Sequence, residues 1–315
     1  MIQLSQKTAT GSAHGKLILT GEHAVVYGMP AIALPFPLVK AVSTVEEIAD
    51  ESVISCEYYD GPLNQVPEKL RGIAACIKEA LKVLHKPQKG LWIRLNTSIP
   101  IGRGLGSSAA IAMAVVKSLY SFYGAALSQK DLMTLVHIAE SYAHGNPSGI
   151  DTAAVSSDFP IWFQRGKRLK QLQLARPLFM VIADTGRIGD THSAVSIVRK
   201  NYKYKPESTK KSLKQLGYIS LETKNALVNG NVNSLGSLMN RAHTELSELG
   251  VSDNGIDKLV HAARKEGALG AKLTGGGRGG CMMALAHNLT QSKEIANALM
   301  KAGARNAWYF KLKTD

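Results

Sequence analysis

Pro100-Ile-Gly-Arg-Gly-Leu-Gly-Ser-Ser-Ala-Ala110 is the stretch on which the reading of this chain turns. Three glycines at alternate positions, Gly102, Gly104 and Gly106, run into two hydroxyl residues, Ser107 and Ser108. From Ala109 to Tyr123 apolar residues recur at Ala112, Val115, Val116, Leu119, Phe122 and Tyr123. That 3.6-residue period predicts a helix with a serine at its N-terminal boundary. Glycines let the backbone approach a ligand closely, and the N–H groups of a helix start favour an anion. Such a loop can hold a polyphosphate without side-chain charge, and a hydroxyl in the first turn can reach a metal ion on those phosphates. An ordinary glycine-rich turn capped by serine fits the same letters, so other stretches must decide. No lysine precedes Ser107, which excludes the P-loop, and the spacing is not that of the G-x-G-x-x-G dinucleotide loop.

Outward from this loop the chain alternates strands and helices. Leu91–Leu95 is an expected strand leading into it, and Val66–Leu84 an expected helix before that strand. Towards the N-terminus, Gln3–Thr10 and Lys16–Thr20 read as two strands joined by a turn at Gly11–Gly15. Gly21-Glu-His-Ala-Val-Val-Tyr-Gly28 follows, enclosing an acid, an imidazole and a phenol between glycines; Glu22 and His23 on a surface turn is the plain alternative. Ala31–Pro37, Val39–Glu46 and Val53–Tyr59 are further strand candidates. Towards the C-terminus, Ser128 is placed to cap a helix from Gln129 to about Ala143, which carries Glu140 near its end. The turn His144-Gly-Asn-Pro-Ser-Gly149 stops it, and Asp151 follows eleven positions after Glu140. Two carboxylates placed in this way can converge on one site. Alternatively, Asp151 caps the next short helix and Glu140 is solvated.

In the second half Ile161–Phe163, Leu169–Leu174 and the apolar run Leu178–Ala183 read as strands. Helices are expected from about Ser193, over Thr209–Asn229, Val232–Leu249 and Ile256–Glu266, and last over Gln291–Lys301. Leu269–Thr274, Cys281–Ala286 and Ala307–Leu312 complete the strands. Between the first two of these lies Gly275-Gly-Gly-Arg-Gly-Gly280. It satisfies G-x-G-x-x-G in letters, yet a short apolar strand follows where the dinucleotide fold needs a helix. A glycine hairpin laid close to a ligand fits better.

Composition narrows the class. The 315 residues carry 38 Lys and Arg against 24 Asp and Glu, a net charge of +14, which suits anionic partners. Basic residues concentrate in Arg165–Lys170 and Arg199–Lys205, the latter interleaved with Tyr202 and Tyr204. Base stacking on that strip was weighed, but no nucleic-acid fold signature accompanies it, so steering of anionic small molecules is the expectation. No apolar run is long enough to span a bilayer and no signal peptide is visible, so no membrane partner is expected. Three cysteines, Cys56, Cys76 and Cys281, show no metal-ligand spacing and suggest a reducing, cytoplasmic setting.

The blocks Lys16–Gly28, Pro100–Ala110 and Lys272–Cys281, in that order and spread over the whole chain, resemble the three signature motifs of the GHMP kinases. The first block is most similar to the mevalonate kinase branch, since galactokinases carry Asp-Tyr after Gly-Glu-His. The turn Gly145-Asn-Pro-Ser-Gly-Ile-Asp151 is similar to the active-site turn of that branch. The resemblance implies a two-domain α+β fold: an N-terminal, ribosomal-protein-like, ATP-binding domain (1–158) and a C-terminal, ferredoxin-like domain (159–315). It implies phosphorylation of (R)-mevalonate by ATP with Mg²⁺, the rivals being a phosphomevalonate or homoserine kinase and a non-catalytic regulator on the same fold. It allows a homodimer.

Carried over residue by residue, the resemblance implies that Asp151 is the catalytic base and Lys16 its cationic partner. Pro100, Gly102, Arg103, Gly104, Leu105, Gly106, Ser107, Ser108, Ala109 and Ala110 would bind ATP, with Ser108 and Glu140 on the metal. Glu22, His23, Ser148, Thr191, Gly276 and Gly277 would line the acceptor. Three residues depart from the family pattern: His14, where proline is usual, and Arg103 and Arg278 inside the glycine loops. Loop arginines would add positive charge near phosphates.

Overall fold

The computed structural model describes residues 7–145 and 147–314; Gln3–Gln6 of the first expected strand and Asn146 of the active-site turn lie outside the described residues. The chain divides into two compact units that are not sequential halves. One holds the described residues up to Gly15 with Val39–Pro100 and Gly106–Ser156; the other holds Lys16–Leu38, Ile101–Leu105 and the described residues from Ser157 on. The late division falls between Ser156 and Ser157. The interleaving of 16–38 and 101–105 is new, and it cuts the glycine loop itself.

In the first unit, β5 (Lys89–Thr97) pairs antiparallel with the later part of β2 (Ala31–Glu51), Ala41 opposite Thr97. On its other side β5 runs parallel to β3 (Val53–Cys56), which folds back on β4 (Tyr59–Pro62). The helices are α1 (Arg71–Val83), α2 (Ser107–Tyr123), α3 (Gln129–His144) and α4 (Ile150–Val155). α1, α2 and α3 pack on one another, α2 lies against β5, and α4 touches both α2 and α3. α2 is apolar almost all round, from Ala109 to Phe122, which is what a helix between a sheet and other helices requires. Ser128 caps α3 as expected, accepting the Asp131 N–H at 3.0 Å.

In the second unit a four-stranded antiparallel sheet has the order β11-β8-β10-β9. Its strands are β8 (Leu178–Asp184), β9 (Gly270–Thr274), β10 (Cys281–Ala286) and β11 (Asn306–Leu312). The early part of β2 pairs with β6 (Ile161–Phe163), which pairs with β7 (Lys170–Gln171). Helices α5 (Thr191–Tyr204), α6 (Pro206–Val228), α7 (Val232–Glu248) and α8 (Asn254–Lys265) follow one another, and α9 (Leu289–Lys301) comes after β10. Asp190, Asn231, Asp253 and Asn288 cap α5, α7, α8 and α9 through their side-chain oxygens. α7, α8 and α9 cover the four-stranded sheet, whose strands β9 and β10 are buried along their whole length. Among the described residues no helix is long and apolar enough to cross a membrane.

Several expectations are corrected. The two N-terminal strands are one, β1 (Thr8–Thr20), pairing with β2, and no turn interrupts it at Gly11–Gly15. Gly11 is there for close approach: a Cβ would collide with the backbone of Ala114 and Ser118 on α2. Ala31–Pro37 and Val39–Glu46 likewise form the single strand β2, and the strand expected over Leu169–Leu174 shrinks to the two residues of β7. The helix expected from Val66 starts at Arg71 after a short 3₁₀ turn at Glu68–Leu70.

Under β9 the buried His243 of α7 has its tautomer set by its neighbours. Its Nδ1 accepts the Leu273 N–H at 3.4 Å and its Nε2 faces Asp257 Oδ1 at 3.1 Å. Burial lowers its pKa to about 4; the charges of Arg264 and Lys272 add to this, and Asp257 opposes it. A histidine depressed when folded takes up a proton first in the unfolded chain, so stability falls as pH drops from about 6.5 towards 4. We expect Tm to decline across that window and His243→Gln to flatten the decline; an unaltered acid limb in the variant would remove His243 as its source.

Candidate active site

The glycine loop has the geometry of an anion cradle. Gly102, Gly104 and Gly106 have φ of 71°, 78° and 75°, while Arg103 and Leu105 are absent from the left-handed region. Alternating signs of φ turn successive N–H groups towards one side, the concave nest that binds anions. Pro100 precedes the loop, and Gly106 is the N-cap of α2, so Ser107, Ser108, Ala109 and Ala110 form the helix's first turn. The first-turn N–H groups favour negative charge.

In the first unit the remaining polar residues lie on α3, on α4 and just before α4, helices that pack on one another and on α2. Glu140 is buried on α3, four residues before its last residue. Asp151 is half-buried in the first turn of α4, behind the N-cap Gly149. Ser148, also half-buried, accepts weakly from the Ile150 N–H at 3.4 Å. Glu140 is therefore not the solvated carboxylate of the plain alternative.

In the second unit the first half of the loop lies on the glycine hairpin between β9 and β10. A Cβ on Gly104 would stand 3.1 Å from Thr274 O and 3.2 Å from Gly275 Cα, so only glycine permits this contact. Leu105 O accepts from the Lys16 N–H at 2.9 Å, and Gly102 O from the Gly189 N–H at 2.7 Å. Lys16 is buried in mid-strand, not at the start of an edge strand. The Arg103 side chain turns inward, pairing with Asp184 at 3.1 Å and donating to Gly186 O at 2.8 Å. Its Nε and one terminal nitrogen are held at Asp184, the last residue of β8, and at Gly186 just beyond it, so the side chain also anchors the loop.

Glu22 and His23 are not on a surface turn. Both are buried, and His23 sits at φ 58°, a strained conformation for a non-glycine residue of the kind that gathers at functional sites. Its Nε2 lies 2.8 Å from Gly276 O. A carbonyl only accepts, so Nε2 carries the proton and a neutral His23 presents Nδ1 as an acceptor. Burial lowers the His23 pKa, the Gly276 carbonyl opposes this, and the charge of Lys272 adds to the lowering. Thr191, the first residue of α5, lies against Gly276, while Gly277 lies against the backbone of Val251.

Glu22 is paired with Lys272 of β9, whose Nζ donates to Glu22 Oε1 and, at 2.6 Å, to Leu273 O. Burial pushes Glu22 up and Lys272 down, each opposed by the charge of the other. Lys272 received no role from the sequence, although a lone cation inside the apolar run Leu269–Thr274 was a usable signal. Nothing in the sequence marked Asp184 as the partner of Arg103. Tyr202, weighed as a base-stacking residue, instead stacks on Tyr27 with ring centroids 5.1 Å apart.

Comparisons with known proteins agree with this picture. The family descriptions "GHMP kinases N terminal domain" and "GHMP kinases C terminal" match residues 70–158 and 223–305. A mevalonate kinase of Pyrococcus furiosus is 35% identical, over 93% of this chain and 92% of its own length. The crystal structure of L. major mevalonate kinase in complex with R-mevalonate superposes with a TM-score of 0.84 at 26% identity, covering 99% of this chain and 98% of that one. Mevalonate kinase from methicillin-resistant Staphylococcus aureus is 31% identical with a TM-score of 0.72, covering 98% of this chain and 99% of its own.

Arg278 in the hairpin is exposed and sits at φ 52°, between Gly277 and Gly279. An L-residue there is strained by about 1 kcal/mol relative to glycine. Arg278→Gly is expected to raise Tm by about 2 °C in a thermal melt; a lower Tm would show that the side chain contributes more than its backbone costs.

Proposed function

This chain belongs to the GHMP kinases, and from that premise we propose that it transfers the γ-phosphoryl group of ATP to the C5 hydroxyl of (R)-mevalonate, giving 5-phosphomevalonate and ADP. One observation carries the choice of acceptor: a relative named mevalonate kinase matches at 35% identity along 93% of the chain. The geometry supports the reaction class, with a nest of N–H groups at a helix start for the phosphates and buried polar groups at Glu22 and His23 for a hydroxylated acceptor.

Phosphoryl transfer depends on positioning and charge neutralisation more than on covalent chemistry. The N–H groups of 102–108 hold the phosphates of ATP. Asp151 accepts the proton of the attacking hydroxyl. Lys16 supplies positive charge to the forming alkoxide. Glu22, His23, Ser148, Thr191, Gly276 and Gly277 orient the acceptor. Ser108 and Glu140, a hydroxyl and a carboxylate on the packed helices α2 and α3, are hard oxygen donors that would hold Mg²⁺. When bound, the ion would supply positive charge against the phosphates of ATP.

The deciding experiment is ADP release with Mg-ATP and (R)-mevalonate, phosphomevalonate, homoserine or galactose. Turnover confined to mevalonate is expected; turnover on another acceptor keeps the reaction class and replaces the substrate, and silence on all four favours a regulator. Asp151→Asn is expected to lower kcat by roughly 10²–10⁴ with ATP binding retained, and unchanged turnover would take Asp151 out of the mechanism. Ser108→Ala is expected to raise the Mg²⁺ concentration needed for half-maximal rate, a shift that an unaltered metal titration would deny.

A further inference from the structure

We infer that Lys272 is a positioning residue for the phosphoryl acceptor, setting both Glu22 and His23 as hydrogen-bond acceptors for the hydroxyl groups of mevalonate. The inference rests on the mevalonate reading above. Lys272 is fully buried in β9, a strand with no exposed residue. Its ammonium has two acceptors, Glu22 Oε1 and Leu273 O. Glu22 Oε2 is also buried and has no hydrogen-bond partner among the described residues. One carboxylate oxygen is thus fixed by the lysine, and the other is desolvated and available.

A desolvated carboxylate oxygen without a donor is costly, and a hydroxyl donor is the group that relieves it. His23 is in a parallel position. Its Nε2–H is committed to Gly276 O, so its Nδ1 can only accept while the ring is neutral. Burial raises the Glu22 pKa and lowers that of His23, and the Lys272 charge opposes the first and adds to the second. The ammonium bond at Glu22 Oε1 and the Gly276 carbonyl at His23 Nε2 leave Glu22 Oε2 and His23 Nδ1 as the two atoms of the Gly21–Gly28 turn open to a hydroxyl donor. That pattern reads hydroxyl donors and gives a carboxylate nothing to bind. Because Lys272 lies on the strand that enters the glycine hairpin, it also ties this turn to Gly276, the residue whose carbonyl orients His23.

A merely structural ion pair would lower stability and leave substrate recognition alone, so the test separates the two. Steady-state kinetics and thermal melts are measured for the wild-type chain, Lys272→Met, Lys272→Arg and the double variant Glu22→Gln with Lys272→Met. Lys272→Met is expected to raise KM for mevalonate about tenfold or more with KM for ATP within about twofold, and Lys272→Arg to recover part of the loss. The double variant removes both charges together, so its Tm is expected to exceed that of Lys272→Met while its mevalonate KM stays high. If Lys272→Met does not fold, Lys272→Gln, which removes the charge and keeps a polar end for the Leu273 carbonyl, takes its place with the same expected split between the two KM values. A mevalonate KM near wild type in folded Lys272→Met, or equal rises in both KM values, overturns the positioning role. Absence of wild-type turnover on mevalonate overturns the substrate reading and this inference with it; wild-type turnover with an unshifted variant overturns the inference alone.

Discussion

Gly104 and Gly275 lie backbone against backbone, so close that a Cβ on Gly275 would stand 2.8 Å from Gly104 Cα. Everything in the second unit's part of the site depends on that approach. It sets the first half of the phosphate loop on the β9–β10 hairpin, and short hydrogen bonds then hold it from several sides. Gly102 O receives the Gly189 N–H and Leu105 O the Lys16 N–H. Thr274, the last residue of β9, bonds Ile18 twice, accepting from its N–H at 2.9 Å and donating to its carbonyl at 3.1 Å. β1, the loop and the hairpin are therefore one hydrogen-bonded assembly, and the letters of three distant motifs are explained by a single contact.

Two buried ion pairs accompany this assembly, Arg103 with Asp184 and Lys272 with Glu22. Neither is an efficient way to stabilise a fold. Taking two charges out of water costs several kcal/mol per ion, and well-packed apolar residues of similar volume often do better. Their value lies in direction. The Arg103 fork reaches both the Asp184 carboxylate and the Gly186 carbonyl, which fixes the loop in register with the end of β8. Lys272 reaches a carboxylate and a carbonyl in the same manner. Apolar packing at either place would hold the elements together without specifying which atom faces which.

Most of the fold was legible in the sequence. Ile161–Phe163 and Cys281–Ala286 form strands with the expected ends, and Ser128 caps the expected helix. Those signals are local: period, apolar runs and cap chemistry. The misreading at Gly11–Gly15 has a physical cause, because glycine serves both turns and close approaches and the letters do not distinguish them. Gly11 serves α2, more than a hundred positions away. The pairing of Arg103 with Asp184 and the burial of Glu22 and His23 depend on contacts between distant segments, which no window of sequence contains. The interleaved units follow from the same limit, since 101–105 belongs with the hairpin it touches and not with its chain neighbours.

The candidate site was legible to a different degree at its two ends. At the phosphate end the proposed binding is through the main chain; the glycine spacing pointed to it only together with the other two motifs, and the alternating φ at 102, 104 and 106 is what that spacing encodes. At the acceptor end side chains do the work, and their protonation states decide what they recognise. A fold shared by kinases of different acceptors says little about which hydroxyl is read. In this chain the distinguishing features are local and chemical: a histidine held at φ 58° with its Nε2 on a carbonyl, and a carboxylate pinned by one oxygen. On the positioning proposed for Lys272, Glu22 Oε2 and His23 Nδ1 offer lone pairs, and an acceptor rich in hydroxyls supplies the donors that satisfy them.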